Sequence, residues 1–203
     1  MSLVTFTRNA VSNFKSTAAV APSSRHLAHA MVEPLRRQGP RVVVEFGPGT
    51  GVMTRRLLRM MPPDGVLLAF EISPLFVDYL RTNIDDKRLH IVAARAETAA
   101  AELDRRGIDT VNGVVSSLGI GFLDEEAVGA IFQPLLPRFS EEGTLTQFQY
   151  VHRIRMAGRR LEYFDAGDML RRYFESVESN CVWRNLPPAN VITCRGARNG
   201  GAP

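Results

Sequence analysis

The sequence has little of what membrane-spanning, secreted or metal-binding proteins need. No apolar run in its 203 residues approaches the roughly 20 residues that cross a bilayer. The first fifteen residues contain polar and basic side chains instead of the apolar block of a secretory signal. Only two cysteines are present, Cys181 and Cys194, which is too few for a four-cysteine metal site. Both lie among strand-like apolar residues, so we expect buried free thiols, no metal and a cytosolic protein.

Lysine is also scarce, since Lys15 and Lys87 are the only two among 25 basic residues. The formal net charge of +4 is unevenly distributed. Residues 1–41 carry six basic residues and one acidic residue, a net +5, so the remaining residues sum to −1. A basic N-terminal segment on a nearly neutral body suggests contact with an anionic surface, either lipid headgroups or nucleic acid. With 45% hydrophobic residues, the chain can bury one full α/β core.

Residues 41–51, with the sequence RVVVEFGPGTG, are the most informative stretch. The valine triplet lacks the alternation of a half-exposed strand, which predicts a strand covered on both faces. The three glycines that follow at alternate positions allow positive φ angles and close approach of the backbone to a ligand. A helical pattern of apolar residues begins after Thr50. Strand, glycine loop and helix together predict a nucleotide-type pocket at the carboxyl end of a first parallel strand.

Two further features indicate which ligand this pocket takes. Glu45 precedes the first glycine by two residues, and the spacing is Gly-x-Gly-x-Gly, which differs from the Gly-x-Gly-x-x-Gly of dinucleotide binders. A second short strand, residues 66–70, ends in Glu71, from which a carboxylate accepts hydrogen bonds from ribose hydroxyls. The pattern resembles the S-adenosyl-L-methionine (SAM) site of Rossmann-like methyltransferases. A dinucleotide site and a purely structural turn remain alternatives.

The rest of the chain alternates strand-like and helix-like segments. Serines near residue 24 are expected to cap a helix that Pro34 kinks or splits, and a further helix is predicted over 165–174. We predict an α/β fold, a Rossmann-like class I methyltransferase with a seven-stranded, mostly parallel, doubly wound sheet and an antiparallel last strand. The predicted strands are 42–45, 66–70, 89–93, 111–116, 143–150, 177–184 and 191–195. The predicted divisions are an N-terminal helical extension over 1–40, the methyltransferase domain over 41–196 and a tail over 197–203.

Residues 3–18 have apolar side chains at spacings of three and four, and polar and basic side chains on the opposite face. This amphipathic helix either packs on the domain's own core or lies in a membrane interface. In a membrane, partly buried apolar side chains would contribute a few kcal/mol, and each basic residue ~1 kcal/mol near anionic lipid. Such attachment would be reversible and salt-sensitive. The predicted membrane-binding residues are Val4, Phe6, Arg8, Val11, Phe14 and Lys15.

Segments along nearly the whole chain resemble the bacterial SAM-dependent phospholipid N-methyltransferases, which convert phosphatidylethanolamine towards phosphatidylcholine, and the related enzymes that methylate ornithine lipids. The resemblance rests on residues 19–24 (AVAPSS), 44–51 (VEFGPGTG), 116–118 (SSL), 147–150 (QFQY) and 182–189 (VWRNLPPA). It implies SAM as cofactor, a membrane aminolipid as substrate and an anionic membrane surface as partner, with no nucleic acid or obligate protein partner. It also implies peripheral attachment to the inner face of the cell membrane.

Two positions depart from that family's pattern. After the third strand the family usually has Gly-Asp-Ala, whose acid reaches the adenine amino group. Here residues 94–96 are Ala-Arg-Ala, so backbone and apolar contacts would hold the adenine. After residues 116–118 the family usually has proline, whereas this chain has Gly-Ile-Gly, a flexible loop beside the expected acceptor. The implied cofactor-binding residues are Glu45, Gly47, Pro48, Gly49, Thr50, Gly51, Glu71, Ile72, Arg95, Ala96 and Ser116.

Methyl transfer to an amine requires a free lone pair in line with the S–CH3 bond. An alkylamine has a pKa near ~10.4 and is mostly protonated at neutral pH. An apolar slot and a neighbouring sulfonium both lower that pKa, so a proton acceptor acting through water could suffice.

Tyr150, at the carboxyl end of the fifth predicted strand, is the first catalytic candidate. Its hydroxyl can accept a hydrogen bond from the amine, and its ring can hold a methylated ammonium by cation–π contact, unless it is an ordinary core or rim tyrosine. His152 is either a base of suitable pKa or a surface histidine. Arg184 could bind a lipid phosphate or form a structural ion pair. Trp183 is either a core residue or the wall of a choline-type site. The substrate-binding candidates are Ser117, Trp183, Arg184 and Asn185.

Two alternative functions remain. Ribosomal RNA adenine N6-dimethyltransferases share the SAM fold, and a basic N-terminus would suit RNA. Those enzymes resemble one another in an Asn-Leu-Pro-Tyr-type motif that grips a flipped base, whereas residues 116–119 (SSLG) offer neither the amide nor the aromatic ring. The other alternative is a catalytically inactive, membrane-associated module of the SAM fold, which Arg95 and Gly119 suggest. It would not bind SAM.

Overall fold

The computed structural model describes residues 24–151, 154–157 and 160–198. The predicted amphipathic helix over 3–18, with its membrane-binding residues, lies outside these ranges. His152 and the last five residues of the predicted tail also lie outside them.

Nine strands form in the described part of the chain, seven of them in one sheet. Their bounds are β1 Val42–Phe46, β2 Val66–Phe70, β3 Leu89–Val92, β4 Val111–Ser116, β5 Phe139–Tyr150, β6 Ile154–Ala157, β7 Arg160–Tyr163, β8 Phe174–Val182 and β9 Ala189–Ala197. The large sheet has the order β3-β2-β1-β4-β5-β9-β8, and β6 pairs with β7 in a separate hairpin. The first five strands pair in parallel, and β9 runs antiparallel to both β5 and β8. Only β9 is therefore reversed in this sheet, which confirms the predicted fold class.

Helices connect the strands on both faces of the sheet. Their bounds are α1 Arg25–Arg36, α2 Val52–Met60, α3 Pro74–Asn83, α4 Ala99–Arg105, α5 Glu125–Phe132 and α6 Ala166–Leu170. The Ser24 and Asp124 side chains cap α1 and α5 by accepting backbone hydrogen bonds of 3.1 and 2.8 Å, and the cap at Ser24 confirms the predicted serine cap. Pro34 lies inside α1 without dividing it. Among the described helices, none combines the length and apolar character needed to cross a membrane.

The sheet separates two hydrophobic cores. One includes Phe46, Phe132 and Phe174 and packs under α4–α6, and the other includes Leu27 and Leu57 and packs under α1 and α2. Val43 and Val44, the second and third valines of the triplet, are fully buried in opposite cores, which agrees with a strand covered on both faces.

Several boundaries differ from the prediction. The helix predicted over 165–174 ends at Leu170, because Phe174 is fully buried in the sheet, where it pairs with Ala197. β5 begins at Phe139, four residues earlier than expected, and the β6–β7 hairpin was not predicted. The expectation of two buried thiols is right for Cys194 on the interior strand β9. It is wrong for Cys181, which is exposed because β8 is the edge strand.

Parallel strands end on the same side of a sheet, and ligands of doubly wound folds bind there. We call this side the carboxyl edge. It carries the loops that follow β1, β2, β4, β5 and β8.

Candidate functional site

The loop between β1 and α2 has the backbone that its glycines predicted. Gly47, Gly49 and Gly51 have φ angles of +69°, +55° and +76°, in the left-handed region that favours glycine. A Cβ on Gly51 would lie 2.8 Å from the ends of the Leu80 and Ile84 side chains, so both would have to shift, in addition to the strain of a left-handed φ. A Cβ on Gly49 would meet nothing within 4 Å. Gly49 therefore faces open space at the carboxyl edge, where a ligand can approach the backbone.

Two further interactions fix this loop. The carbonyl of the buried Pro48 accepts a 2.9 Å hydrogen bond from the Gly51 N–H. The Thr50 carbonyl accepts one of 2.8 Å from the Arg55 guanidinium. These bonds hold the backbone at the start of α2.

Glu71 lies against the glycine loop from the end of β2. Its carboxylate accepts hydrogen bonds from the N–H groups of Gly49 (3.1 Å) and Ser73 (2.9 Å). Ile72 follows it, half-buried, in the loop before α3. The acid therefore lies next to the loop, in the position from which ribose hydroxyls are bound in this class of fold. Its contact with the cofactor stays a prediction.

Glu45 is fully buried at the end of β1. Within the described ranges, neither oxygen of its carboxylate has a hydrogen-bond partner, and neither does the Thr54 hydroxyl. Burial raises the pKa of Glu45 to about 8, the neighbouring Thr54 limits the rise, and the carboxylate of Glu71 adds to it. A cation over the loop would favour the ionised acid, and SAM carries both a sulfonium and an ammonium. The buried acid therefore fits SAM. Thr54 was not among the predicted site residues.

The predicted adenine side offers backbone and small side chains. Ala96 and Ser116 are buried, and the Ser116 hydroxyl accepts a hydrogen bond of 3.4 Å from the Leu118 N–H. Arg95 is directed to a neighbour, since its guanidinium donates to Glu97 at 2.6 Å. This arrangement agrees with adenine recognition through backbone and apolar contacts, with the charge of Arg95 already paired.

The loop after β4 is joined to both β1 and β5. Ser117 donates its N–H to the Phe46 carbonyl (2.8 Å), and its hydroxyl lies 3.5 Å from the Met53 sulfur. Gln147, fully buried on β5, donates to the Leu118 carbonyl at 2.8 Å. Its amide oxygen is without a partner in the described part of the chain. We did not predict Gln147 as a site residue, although an amide in a buried strand was a usable signal.

Residues 119–121 are packed, in contrast to the flexible loop that we expected. Gly119 precedes a short 3-10 helix, Ile120–Phe122, in which Ile120 is buried. A Cβ on Gly121 would lie 2.9 Å from the Phe164 ring. Because Gly121 has no side chain, the Phe164 ring can pack against residues 119–121.

Tyr150 lies at the carboxyl end of β5 and is half-buried. Its ring packs edge-on against Phe148, with 5.4 Å between the ring centroids, in the core under α1 and α2. Burial raises the pKa of Tyr150, so its hydroxyl stays neutral at physiological pH. A neutral hydroxyl can accept a hydrogen bond from an amine, although it is not a strong base.

The turn between β8 and β9 contains the other substrate-binding candidates. Trp183 is 74% exposed, so the expectation of a core residue is wrong; it lies past the end of the edge strand. Arg184 is also exposed. Asn185 is buried and accepts a 3.1 Å hydrogen bond from the Ser24 N–H, while its side-chain nitrogen donates to the Pro187 carbonyl at 2.7 Å. Its amide thus joins the turn to the start of α1, and substrate contact stays a prediction.

Comparisons with known proteins agree with this site. The chain is 28% identical over 185 residues to the ornithine lipid N-methyltransferase of Singulisphaera acidiphila, and the match covers 89% of each chain. It is 36% identical over 104 residues to the ribosomal RNA small subunit methyltransferase H of Aromatoleum aromaticum. That match covers 50% of this chain and 33% of the relative. No protein-family model matches the sequence.

Solved structures of methyltransferases share the fold. The precorrin-6y C5,15-methyltransferase of Geobacter metallireducens superposes with a TM-score of 0.65 at 18% identity, covering 89% of this chain and 93% of that one. The O-methyltransferase TomG of Streptomyces achromogenes, solved with SAM, gives 0.63 at 17% identity, covering 97% and 91%. These structures show that the chain has the class I methyltransferase fold. The sequence relatives, the glycine loop and the two acids support a SAM-dependent methyltransferase with this fold.

Proposed function

We propose that the chain transfers a methyl group from SAM to the amine of a membrane aminolipid. The observation that carries the proposal is the relation to an ornithine lipid N-methyltransferase across 89% of both chains. An ornithine lipid is therefore the first candidate for the acceptor, and phosphatidylethanolamine is the second. Both present a primary amine at the end of a headgroup.

The acceptor side of the site suits an amine that must lose a proton. SAM, when bound, supplies the methyl group. The buried Gln147 amide oxygen and the Tyr150 hydroxyl are neutral hydrogen-bond acceptors at or near the carboxyl edge. Ile120 donates its N–H to the same Leu118 carbonyl that Gln147 binds, and Ile120 and Phe164 belong to the apolar core on that face of the sheet. An ammonium that enters such surroundings loses hydration, which lowers its pKa and favours the form with a free lone pair.

A ribosomal RNA acceptor is the alternative, because the Aromatoleum relative is 36% identical where it matches. The match, however, spans only a third of that relative, so most of the relative lies outside the region matched by this chain. The lipid methyltransferase matches nearly end to end. We therefore favour the lipid and retain RNA as an arm of the experiment.

We also propose peripheral attachment to the inner face of the cell membrane through residues 3–18. The support is their amphipathic pattern and the net +5 of residues 1–41. Deleting residues 1–16 should reduce co-sedimentation with anionic vesicles and leave SAM binding unchanged. Loss of both would mean that the segment belongs to the core.

The decisive experiment supplies labelled SAM with separate acceptors: vesicles containing ornithine lipid, vesicles containing phosphatidylethanolamine, and small-subunit ribosomal RNA. Chromatography should show the label in one of the two lipids. A Gly49→Val variant, expected not to bind SAM, controls for non-enzymatic labelling. Label in RNA alone would replace the proposal, and no label in any acceptor while calorimetry shows SAM binding would refute it.

A further inference from the structure

We propose that the side-chain oxygen of Gln147 accepts a hydrogen bond from an N–H of the acceptor amine, so that Gln147 assists only those methyl transfers that begin from an amine with a hydrogen to donate. This inference rests on the proposed function and deepens it by assigning a residue that distinguishes successive transfers. The observation behind it is a buried amide whose nitrogen is bound by the protein and whose oxygen has no partner in the described part of the chain.

Gln147 lies next to the switch point of the sheet. In the order β3-β2-β1-β4-β5, the chain runs from β1 to β3 on one side and from β4 to β5 on the other, and doubly wound folds bind ligands in the crevice between the two halves. A Cβ on Gly47 would lie 3.6 Å from the Ser117 side chain, so the glycine loop borders the loop after β4. Gln147 is in register with Ser116, the last residue of β4. It is therefore on the β4–β5 side of the crevice, separated from the glycine loop by the loop after β4.

Two hydrogen bonds determine which end of the amide is the nitrogen. Nε2 donates to the backbone carbonyls of Leu118 and Phe148, both at 2.8 Å. The reverse orientation would set the amide oxygen against two carbonyl oxygens, which have no hydrogen to donate. The oxygen of Gln147 is therefore fixed as the acceptor end of the amide.

Gln149, two residues further along β5, provides a comparison. Alternate residues of a strand face the same side of the sheet, so Gln147 and Gln149 share a face. The Gln149 nitrogen donates to the Phe164 carbonyl at 2.9 Å, and its oxygen accepts a hydrogen bond from the Ala166 N–H at 3.1 Å. Both ends of the Gln149 amide thus serve the fold, whereas only the nitrogen of Gln147 does.

An amine supplies the donor that the Gln147 oxygen lacks. A buried polar atom without a partner is unfavourable, and in a native structure it calls for an explanation. The nearby Leu118 carbonyl is already used, since it also accepts a 2.9 Å hydrogen bond from the Ile120 N–H. Because the Gln147 oxygen is buried, an amine that reaches it must displace the covering side chains and lose its hydration. That loss lowers the pKa of the amine and favours its reactive, unprotonated form.

The hydrogen bond should strengthen during methyl transfer. As the amine nitrogen gives its lone pair to the methyl carbon, the electron pair of the breaking S–C bond goes to sulfur, and the nitrogen gains positive charge. A remaining N–H becomes a stronger donor, so the Gln147 oxygen stabilises the developing charge. A primary or secondary amine has such an N–H and afterwards releases a proton to water. An unprotonated dimethylated amine has none, so its methylation gains nothing from this contact.

The experiment measures kcat/KM for the same lipid with zero, one or two N-methyl groups. Phosphatidylethanolamine and its N-monomethyl and N,N-dimethyl derivatives form one series, and the corresponding ornithine lipids form the other. In the unsubstituted protein, the dimethylated lipid should react about tenfold more slowly than the monomethylated lipid. Gln147→Met should lower kcat/KM by about tenfold for the first two lipids and by less than about twofold for the dimethylated lipid.

The matched control is Gln149→Met, which removes an amide from the same face of the same strand. It should change kcat/KM for all three lipids by one common factor. Calorimetry with SAM verifies that both variants are folded. Gln147→Met should fold, because it removes an unsatisfied oxygen together with a donor, and the Leu118 carbonyl keeps its bond from Ile120. If it does not fold, the ratio between monomethylated and dimethylated lipid in the unsubstituted protein decides.

Two results would overturn the inference. One is an equal loss on all three lipids in Gln147→Met, which would mean that the residue only holds the loop after β4. The other is an equal rate for monomethylated and dimethylated lipid in the unsubstituted protein. The proposed function is judged separately: no label in any lipid would refute it, whereas labelling that does not depend on the N–H would refute the role of Gln147 alone.

Discussion

The carboxyl edge has two regions of opposite character. At the ends of β1 and β2 it is acidic and buried, with Glu45 and Glu71 beside a tightly folded glycine loop. At the ends of β5 and β8 it is exposed and apolar, with Val151, Trp183 and Leu186 open to solvent. The first region suits a small cation that must be enclosed and oriented. The second suits an acceptor whose acyl chains stay outside the protein.

The two regions should therefore respond differently to substitution. Changes in the acidic region should alter cofactor binding and the pH dependence of stability, and changes in the apolar region should alter methylation with cofactor binding unchanged. The following variants test this division.

The largest effect is expected for Gly49→Val. The residue has φ +55°, and a side chain there would enter the open space in which we expect SAM, so the Kd for SAM should rise by at least about a hundredfold. Isothermal titration calorimetry measures it. Gly107→Val is the matched control, because Gly107 has φ +65°, open space around its Cβ and a location after α4. Equal loss of SAM binding in both variants would show that backbone strain, not occlusion, is responsible.

Glu45 should make the SAM-free protein less stable as pH rises. The folded protein keeps this proton up to a pKa of about 8, whereas the unfolded chain releases it near the ordinary value of 4.5. Between those values the unfolded state binds fewer protons, so the free energy of unfolding should fall by roughly 2–3 kcal/mol from pH 6 to pH 8.

Glu45→Gln should remove most of that slope, and the exposed Glu126→Gln should not. Urea denaturation across this pH range measures both. SAM affinity should rise with pH in the unsubstituted protein, because a cation favours the ionised acid. An unchanged slope in Glu45→Gln would show that the acid does not titrate in this window.

Tyr150→Phe tests the apolar region. The ring would still pack on Phe148, but the hydrogen-bond acceptor would be lost, so kcat for lipid methylation should fall by about tenfold while the Kd for SAM stays constant. Tyr79→Phe, at an exposed position of α3, is the control. An unaltered kcat would show that Tyr150 serves only to pack against Phe148.

The smallest effect is expected for Asn185→Ala, which removes the hydrogen bonds to Ser24 and Pro187. Loss of a buried amide should lower the free energy of unfolding by about 1–2 kcal/mol. Asn185→Asp keeps the acceptor for the Ser24 N–H and should cost less. If Asn185→Ala instead impairs methylation at unchanged stability, its main contact is with the substrate.

The same division separates what the sequence predicts from what it does not. The acidic region depends on contiguous residues: a valine strand, a carboxylate and glycines whose φ angles follow from local chemistry. The β8–β9 turn depends on which strand forms the edge of the sheet, and strand propensity does not contain that information. Trp183 and Cys181 are exposed because they lie in or next to the edge strand β8. Phe174 is in a strand although its local sequence pattern predicts a helix, because it is buried in the sheet.

The order of the strands has a consequence for synthesis. β9 lies between β5 and β8, both of which leave the ribosome before it, and in the described sheet β8 pairs with β9 alone. A nascent chain that has emerged only as far as β8 therefore has an unpaired strand and an open edge on β5. Such edges can pair with other chains. A chain that folds as it is synthesised would therefore add β9 to this sheet after β5 and β8, and chaperones that bind extended segments would act in that interval.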